Sequence, residues 1–419
     1  MNLGQTVTGT PRKTLLRYLP FATLAVSALV ALWQSYRVHR TVRETHPPGE
    51  VPLPKSAPHV SIIVPVRNEE ATIDACVASL LAQDYPDFDI TLIDDGSTDV
   101  TPQLMAECAR RDPRVQVHRI DQLPDGWAGK AHALHTGVTL TSGEWLLFTD
   151  ADTCHAPQTL RLMVGHALAR QDDLLSMRMT LMTLSGLFMP LFMSITEILL
   201  ANKVSPAEVR DPASPRAFAF GQYMLLRREA YLATGGYGAD DMHMTSVEDL
   251  ALATRFKQHR QHIELVNGRG LITNRQWTTW KSFRQGWERS CYGELIRSNI
   301  PLVALPGGLA FIAYGLMPPV VLLHALYFRR VQCFSPLLAG ITLLAQIDAK
   351  RCFDREYDLA VPWSLAAPAG WVTYGILLLD VARLIVTGRG ASWKGRQLVL
   401  FPGVSRKIHL VGHTGEMRR

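Results

Sequence analysis

The sequence predicts an α/β protein: a Rossmann-like sheet carrying helices, with an N-terminal membrane anchor and C-terminal transmembrane helices. Three observations predict it. Between residues 59 and 295, apolar runs of strand length alternate with helical periodicities, the pattern of a parallel sheet. Several of those runs end in short loops rich in aspartate, where an open α/β sheet binds its ligands. Long uncharged runs then flank this region on both sides.

The clearest run is Trp145-Leu-Leu-Phe-Thr149, which leads straight into Asp150-Ala-Asp152. Apolar residues at this length read as a short buried strand. Two carboxylates where it leaves the sheet suit a hard divalent cation, which takes oxygen ligands and leaves room for substrate phosphates. A plain Asp-rich turn is the competing reading. Upstream, Val60-Ser-Ile-Ile-Val64 is a strand with the exit loop Pro65-Val-Arg67-Asn-Glu69-Glu. A helix follows with Ile73, Cys76, Val77, Leu80 and Leu81 on one face. Ile90–Ile93 is a second strand ending in Asp94-Asp95-Gly96-Ser-Thr-Asp99, where Ser97 or Thr98 can cap the helix of Leu104, Met105 and Cys108. Val115–His118 is a third strand. Gly126-Trp-Ala-Gly-Lys130 opens a helix reaching about Thr141. Neither G-x-G-x-x-G nor a full Walker A loop occurs, so phosphate binding rests on a metal and on helix N-termini. Lys130 can add a point charge there, or be a solvated helix lysine.

Phe220–Arg228 reads as a strand feeding a short helix that ends at Gly235-Gly236. Ser246-Val-Glu248-Asp249 opens the next helix, and from the residues alone Asp249 is a capping-box acid beside a first-turn Glu248. Arg275–Trp280 and Arg284-Gln-Gly-Trp287-Glu-Arg289 close the domain as an amphipathic interfacial helix or an acceptor-side element.

The flanks divide as follows. Residues 1–43 hold an apolar stretch, Tyr18–Trp33, between two groups of basic residues, and read as an uncleaved membrane anchor. Residues 44–58 are a proline-rich linker. Met179–Thr196 carries no charge, yet a single span there would separate Asp150 and Asp152 from Glu248 and Asp249 across a bilayer. Residues 179–200 therefore read as an interfacial segment, interrupted at Gly186 and Pro190. Residues 301–386 hold three uncharged runs, Pro301–Leu326, Val331–Ile347 and Leu359–Leu379, with breaks expected at Pro318-Pro319, Pro362 and Pro368. Residues 387–419 form a basic tail with seven basic residues against one acid, an excess equal to the whole net charge of +6. A basic tail beside apolar segments points to an anionic membrane surface. No aromatic-plus-basic stripe for nucleic acid occurs. The six cysteines are scattered without a C-x-x-C pair and read as reduced packing residues.

The order of motifs resembles family 2 glycosyltransferases of the GT-A fold. Ser61-Ile-Ile-Val-Pro-Val-Arg-Asn-Glu69, Ile93-Asp-Asp-Gly-Ser-Thr-Asp99, Thr149-Asp-Ala-Asp152, Gly235-Gly-Tyr and Val247-Glu-Asp-Leu carry the resemblance, over residues 59–295. Gly126–Lys130 and Gly388–Arg396 are similar to the membrane-bound branch associated with carotenoids and hopanoids, and more distantly to ceramide glucosyltransferases. The resemblance implies an inverting hexosyltransferase that moves sugar from a UDP-linked donor to a lipid acceptor with Mn²⁺ or Mg²⁺. It implies that Pro65, Arg67 and Glu69 line the nucleotide pocket and that Asp94 or Asp95 meets the base. Asp150 meets ribose or metal, Asp152 ligates metal, and Asp249 is the general base with Glu248 beside it. Lys130 falls on the donor side, and Arg284, Trp287 and Arg289 on the acceptor side. The chain departs from the Q-x-x-R-W of processive members at Gln285-Gly-Trp-Glu-Arg289, which counts against a polymer synthase. A processive or polyprenyl-phosphate transferase and a non-catalytic nucleotide-sugar-binding protein are the competing readings. The catalytic domain is expected on the cytoplasmic face of a multi-pass membrane protein. Donor sugar, acceptor lipid, the choice of metal and the oligomeric state are not encoded legibly.

Overall fold

The computed structural model describes residues 11–178, 180–181, 188–245, 247–274, 279–297, 300–328, 334–393 and 396–398. Among the described residues from 59 to 295 there are ten strands: β1 (Val60–Val66), β2 (Phe88–Asp94), β3 (Val115–Arg119), β4 (Trp145–Thr149), β5 (Thr153–His155), β6 (Leu174–Arg178), β7 (Thr180–Leu181), β8 (Tyr223–Arg227), β9 (Ile263–Asn267) and β10 (Ile272–Asn274). Seven form one sheet in the order β3-β2-β1-β4-β8-β6-β9. β1 runs parallel to β2 and β4, placing Ile62 between Ile90 and Leu147. Every residue of β4 is buried, which explains why its sequence is continuously apolar rather than alternating.

The sheet is not wholly parallel. β8 runs antiparallel to both β4 and β6. An antiparallel neighbour needs no helical crossover, and the long stretch between β6 and β8 carries the Phe188–Lys203 helix instead. β10 pairs with β5 and β7 in a small second sheet. Its register sets Asn274 opposite Thr153, beside the Asp150–Asp152 turn.

The first helix is Ile73–Leu81 and buries Ile73, Cys76, Val77 and Leu80, as its periodicity predicts. The second, Thr101–Arg111, starts later than expected and has no side-chain cap at Val100. Ser97 and Thr98 are drawn away by the β1 exit loop: Asn68 N–H donates to Ser97 Oγ at 3.0 Å, and Thr98 N–H to Asn68 Oδ1 at 2.8 Å. Among the described residues no disulfide joins Cys76, Cys108, Cys154, Cys291 and Cys352 to one another.

One buried acid near the far edge of the sheet makes a stability prediction. Asp172 is 4% exposed, and its Oδ2 has no hydrogen-bond partner. Burial, then the neighbouring Glu264, pushes its carboxyl up to about 7. Glu264 is itself held by Arg210 and faces Arg170 at 3.7 Å. A carboxyl with a raised folded-state value is at ease while protonated, so its contribution is intact below about pH 4 and is lost as pH rises to about 7. Asp172→Asn removes that loss. We expect it to stabilise the protein at pH 8 by roughly 2 kcal/mol and to change little at pH 4.5, read from thermal melts at the two pH values.

The described residues divide into two compact units. One holds the sheets and draws on Thr41–Leu187, Val204–Pro306 and Leu377–Arg419; the other draws on Met1–Arg40, Phe188–Lys203 and Gly307–Ile376. The apolar stretch 18–33 lies in one helix, Pro11–Glu44. Two helical segments among the described residues, Pro301–Phe328 and Ala367–Val386, are long and apolar enough to cross a membrane. The first buries only 11% of its apolar window and displays Leu323, Leu326 and Tyr327 on its surface.

The run at 331–347 behaves differently. Its described part belongs to a helix, Phe334–Glu356, whose second half carries Asp348, Lys350, Arg351 and Asp354. Lys350 and Asp354 are fully buried and paired at 2.7 Å. Ser194 and Ser364 both donate to Asp354, and Lys350 donates to Pro190 O at 2.8 Å. A buried pair is tolerable when its remaining lone pairs and protons are satisfied in this way. Pro190 sits in the first turn of its helix, where no intrahelical donor is needed, so it does not interrupt the segment; residues 179 and 182–187 are outside the described set. The helix at 304–328 also continues through Pro318-Pro319 rather than breaking there. Pro362 and Pro368 instead begin the Val361–Leu365 and Ala367–Val386 helices, a position that suits proline.

The chain after 386 does not all hang free. β11 (Ala391–Trp393) pairs with β12 (Arg396–Leu398). Ala391 is buried with Tyr292, Val381 and Leu384. The rest of the expected basic tail, from residue 399, falls outside the described residues.

Candidate active site

The exits of β1 and β2 are stitched into one wall. Arg67 Nη1 donates to the carbonyls of Asp95 and Gly96, Asp95 N–H to Val66 O at 2.8 Å, and Glu69 N–H to Thr101 Oγ1 at 2.8 Å. Gly96 turns this corner at φ +68°, a conformation that glycine adopts without strain. Pro65 pairs with Ile93 across the two strands. The Glu69 carboxylate accepts from Thr72 Oγ1 at 3.1 Å and serves its own turn. Asp94 is also a scaffold residue: its Oδ1 accepts from Ser97 N–H at 2.8 Å and its Oδ2 faces Arg119 at 3.3 Å. Asp95, also buried, lies near His132; burial and then His135 push that ring down against the pull of Asp95.

At the exit of β4 the Asp150-Ala-Asp152 turn is braced from below. Thr153 Oγ1 donates to Asp150 O at 2.7 Å, and Thr149, Thr153 and His155 contact one another at 3.0–3.1 Å. Burial drives His155 down to about 3, so the ring is neutral and acts as a fixed strut. Asn274 Nδ2 donates to Asp152 Oδ1 at 3.1 Å. Neither His155 nor Asn274 was legible beforehand; Asn274 arrives through the β5–β10 register alone.

The opposite wall comes from the Gly235-Gly236-Tyr237 turn and the Glu248–Gln258 helix. Tyr231 OH accepts from Tyr237 N–H at 2.9 Å, and Tyr237 OH donates to Glu248 O at 3.2 Å. These bonds fix where the helix begins. Ser246 is outside the described residues, so its expected cap is not addressed; the Asp249 carboxylate is engaged elsewhere. Its Oδ2 accepts from Gly221 N–H at 2.9 Å and its Oδ1 from Leu250 N–H at 2.7 Å.

Lys130 joins the two walls. Its ammonium contacts Asp150 Oδ1 and Glu248 Oε1, each at 2.7 Å. Burial works against the charge on Lys130, but Asp150 and Glu248 outweigh it and hold the group above its ordinary range. Burial likewise opposes ionisation of Glu248, yet Lys130 and then Arg289 keep it below the usual carboxylate range. For Asp249 the balance falls the other way. Burial, then the Glu248 charge, pushes it up to about 6 against the pull of Lys130 and the two backbone bonds. Neighbouring carboxylates with diverging values suit different tasks: one a fixed charge, the other a proton acceptor near neutrality.

The loop before Lys130 is pinned by aromatics. Trp127 stacks on His243 with ring centroids 3.7 Å apart, on His135 at 5.3 Å, and meets His132 edge-on at 5.0 Å. Ala128 N–H donates to His243 O at 2.6 Å. These histidines were also missed by the sequence reading, since helical spacing alone does not mark a long-range stack.

Of the three residues expected on the acceptor side, Arg289 reaches the site electrostatically through Glu248. Arg284 is held by Glu288 at 2.8 Å and Asp380 at 3.2 Å. Trp287 lies on the same helix, Trp280–Arg297, and is partly buried; residues 275–278 are outside the described set. A cleft of about 370 Å³ runs along one face of the Glu248–Gln258 helix, lined by Met242, Met244, Thr254, Arg255, Gln258 and Ile296 among others.

Among the described residues no three His, Cys, Asp or Glu side chains converge as a self-sufficient metal cage. The donors on offer are carboxylate oxygens, and an ammonium already stands as a cation between Asp150 and Glu248. That chemistry fits Mg²⁺ or Mn²⁺, which bind through one or two carboxylates and take further oxygens from substrate phosphates.

The family profile described as "Glycosyl transferase family 2" matches residues 61–232. Over those residues the chain is similar to family 2 glycosyltransferase domains. The match runs from β1 into the Arg228–Ala233 helix and takes in the Asp94–Asp99, Lys130 and Asp150–Asp152 loops. A 4,4'-diaponeurosporenoate glycosyltransferase of Staphylococcus aureus strain USA300 is 28% identical over 233 residues, 55% of this chain and 60% of the relative's length. The same enzyme of strain MRSA252 matches over the same share. The match spans about 60% of these relatives' length. In architecture the chain is similar to a mannosyltransferase of Pyrobaculum calidifontis solved with GDP-Man and Mn²⁺, at a TM-score of 0.53 and 19% identity, over 87% of this chain and 96% of that one. That likeness supports the GT-A fold.

Proposed function

We propose that this chain is an inverting, metal-dependent glycosyltransferase that moves a sugar from a UDP-linked donor to a hydroxyl or carboxyl of an apolar isoprenoid lipid. One observation carries the reading: Lys130 draws the strand-exit Asp150 and the helix-start Glu248 onto a single ammonium, so the two motif walls converge where a diphosphate would sit. In this reading Asp95 meets the base, with Arg67 holding its loop. Asp150 and Asp152 hold the divalent ion, which when bound stabilises charge on the departing diphosphate. Asp249 accepts the proton of the acceptor hydroxyl as the oxygen attacks the anomeric carbon, and the bond to the β-phosphate breaks to release UDP. A carboxyl acceptor is already ionised near neutrality and attacks without that proton transfer. Glu248, kept ionised by Lys130 and Arg289, is a poor base and orients the cation side.

The lipid acceptor is supported by three features. The cleft beside Thr245 carries Met242, Met244 and Ile296. The chain has two helical segments fit to cross a membrane. The S. aureus relatives are named for a carotenoid acid. We place the catalytic domain on the cytoplasmic face, where nucleotide sugars are made, with membrane segments on either side of it. The departure at Gln285–Arg289 favours single transfer over a processive synthase. Product analysis separates these: one sugar per lipid is expected, and a ladder of products would point to the processive alternative.

A further inference from the structure

Lys130 stands where a cation is needed before any donor arrives. Its side chain is 27% exposed and its ammonium is shared equally between Asp150 and Glu248. It also lies in the first turn of the twelve-residue Gly129–Leu140 helix, whose free N–H groups favour an anion. Trp127 and the Ala128–His243 bond pin this end of the helix in place.

We propose that Lys130 is a built-in counter-cation, which occupies the Asp150 carboxylate in the donor-free site and makes the divalent ion enter together with the nucleotide diphosphate rather than ahead of it. The inference rests on the functional reading above, because it takes Asp150 as a metal ligand. The argument is one of charge. Lys130 spans Asp150 and Glu248, with Arg289 close to Glu248. A divalent ion arriving alone must take Asp150 from the ammonium, which leaves the ammonium to Glu248 alone and sets two like charges side by side. An ion arriving with a diphosphate brings negative charge with it. The Lys130 ammonium then has phosphate oxygens to turn to, within reach of its own helix N-terminus. Ion and nucleotide therefore bind with positive coupling, and the coupling is reciprocal. Removing the ammonium removes the penalty on the lone ion.

The test is Mn²⁺ binding to the purified full chain in detergent, read from the EPR signal of free Mn²⁺, with and without UDP. The wild type is expected to bind Mn²⁺ weakly alone and at least about tenfold more tightly with UDP. Lys130→Met is expected to bind Mn²⁺ alone about tenfold more tightly than the wild type, with the effect of UDP reduced. Lys130→Gln is expected to follow Lys130→Met, while Lys130→Arg keeps the wild-type pattern; thermal melts show that each variant is folded. If the wild type binds Mn²⁺ with UDP but neither neutral variant binds Mn²⁺ alone more tightly, the counter-cation proposal is wrong and the metal reading survives. If the wild type binds no Mn²⁺ even with UDP, both are overturned.

Discussion

Asp249→Asn is expected to lower kcat by about 10²–10⁴-fold with a hydroxyl acceptor while leaving the KM for the donor nearly unchanged. The side chain keeps its shape, and its oxygen can still accept from Gly221 N–H. It loses the bond from Leu250 N–H to Oδ1 and the capacity to take a proton. The wild-type rate carries a second signature. Burial and the Glu248 charge push Asp249 up to about 6, and in the proposed role of base it must be ionised to work. The rate is full above that value and falls as pH drops through it. The residual rate of Asp249→Asn should lack this limb. Glu248→Gln should keep it, displaced to lower pH because one negative neighbour has gone. Steady-state kinetics across pH 5–8 check all three statements. An undiminished rate in Asp249→Asn would move the base elsewhere.

Gly236→Ala is expected to cost roughly 3–5 kcal/mol and to lower the melting temperature by about 10 °C. Gly236 has φ +46°, a region that L side chains rarely occupy. A Cβ there would lie 2.1–2.6 Å from three ring carbons of Tyr231. That ring cannot retreat, because it is 2% exposed and packs edge-on against Phe148 with centroids 5.7 Å apart. The damage also reaches the site. Tyr231 OH holds Tyr237, whose own hydroxyl holds the first residue of the Glu248 helix. Activity is therefore expected to fall further than the loss of folded protein accounts for. A thermal melt beside a specific-activity measurement on the folded fraction checks both parts. A variant with wild-type stability would show that the turn can relax.

Much of the sheet was written in the chain. β1, β2 and β4 are apolar runs because helices cover them on both faces, and their polar exits fall where ligands bind. The Asp150–Asp152 pair was legible for the same reason, whereas Glu248-Asp249 read from the residues alone as helix-start acids and gained a site role only through the family resemblance. The direction of β8 was not, because Tyr223–Arg227 looks the same read either way and its pairing is set by a long connection. Asn274, His155 and the Trp127–His243 stack were hidden because each depends on a contact between distant segments. That Asp94 braces its own turn through Ser97 N–H was not visible in the spacing. The split between Glu248 and Asp249 needed the position of Lys130, which no spacing rule supplies.

The central claim is a metal-dependent transfer from a nucleotide sugar to a lipid, and UDP release tests it most directly. Membranes of cells expressing the chain are incubated with a panel of UDP-sugars and extracted isoprenoid lipids, beside membranes carrying Asp152→Ala. The account predicts release with one donor that requires the lipid, a divalent ion and Asp152. Release from none of the donors with lipid and metal present, or release undiminished in Asp152→Ala, would contradict it.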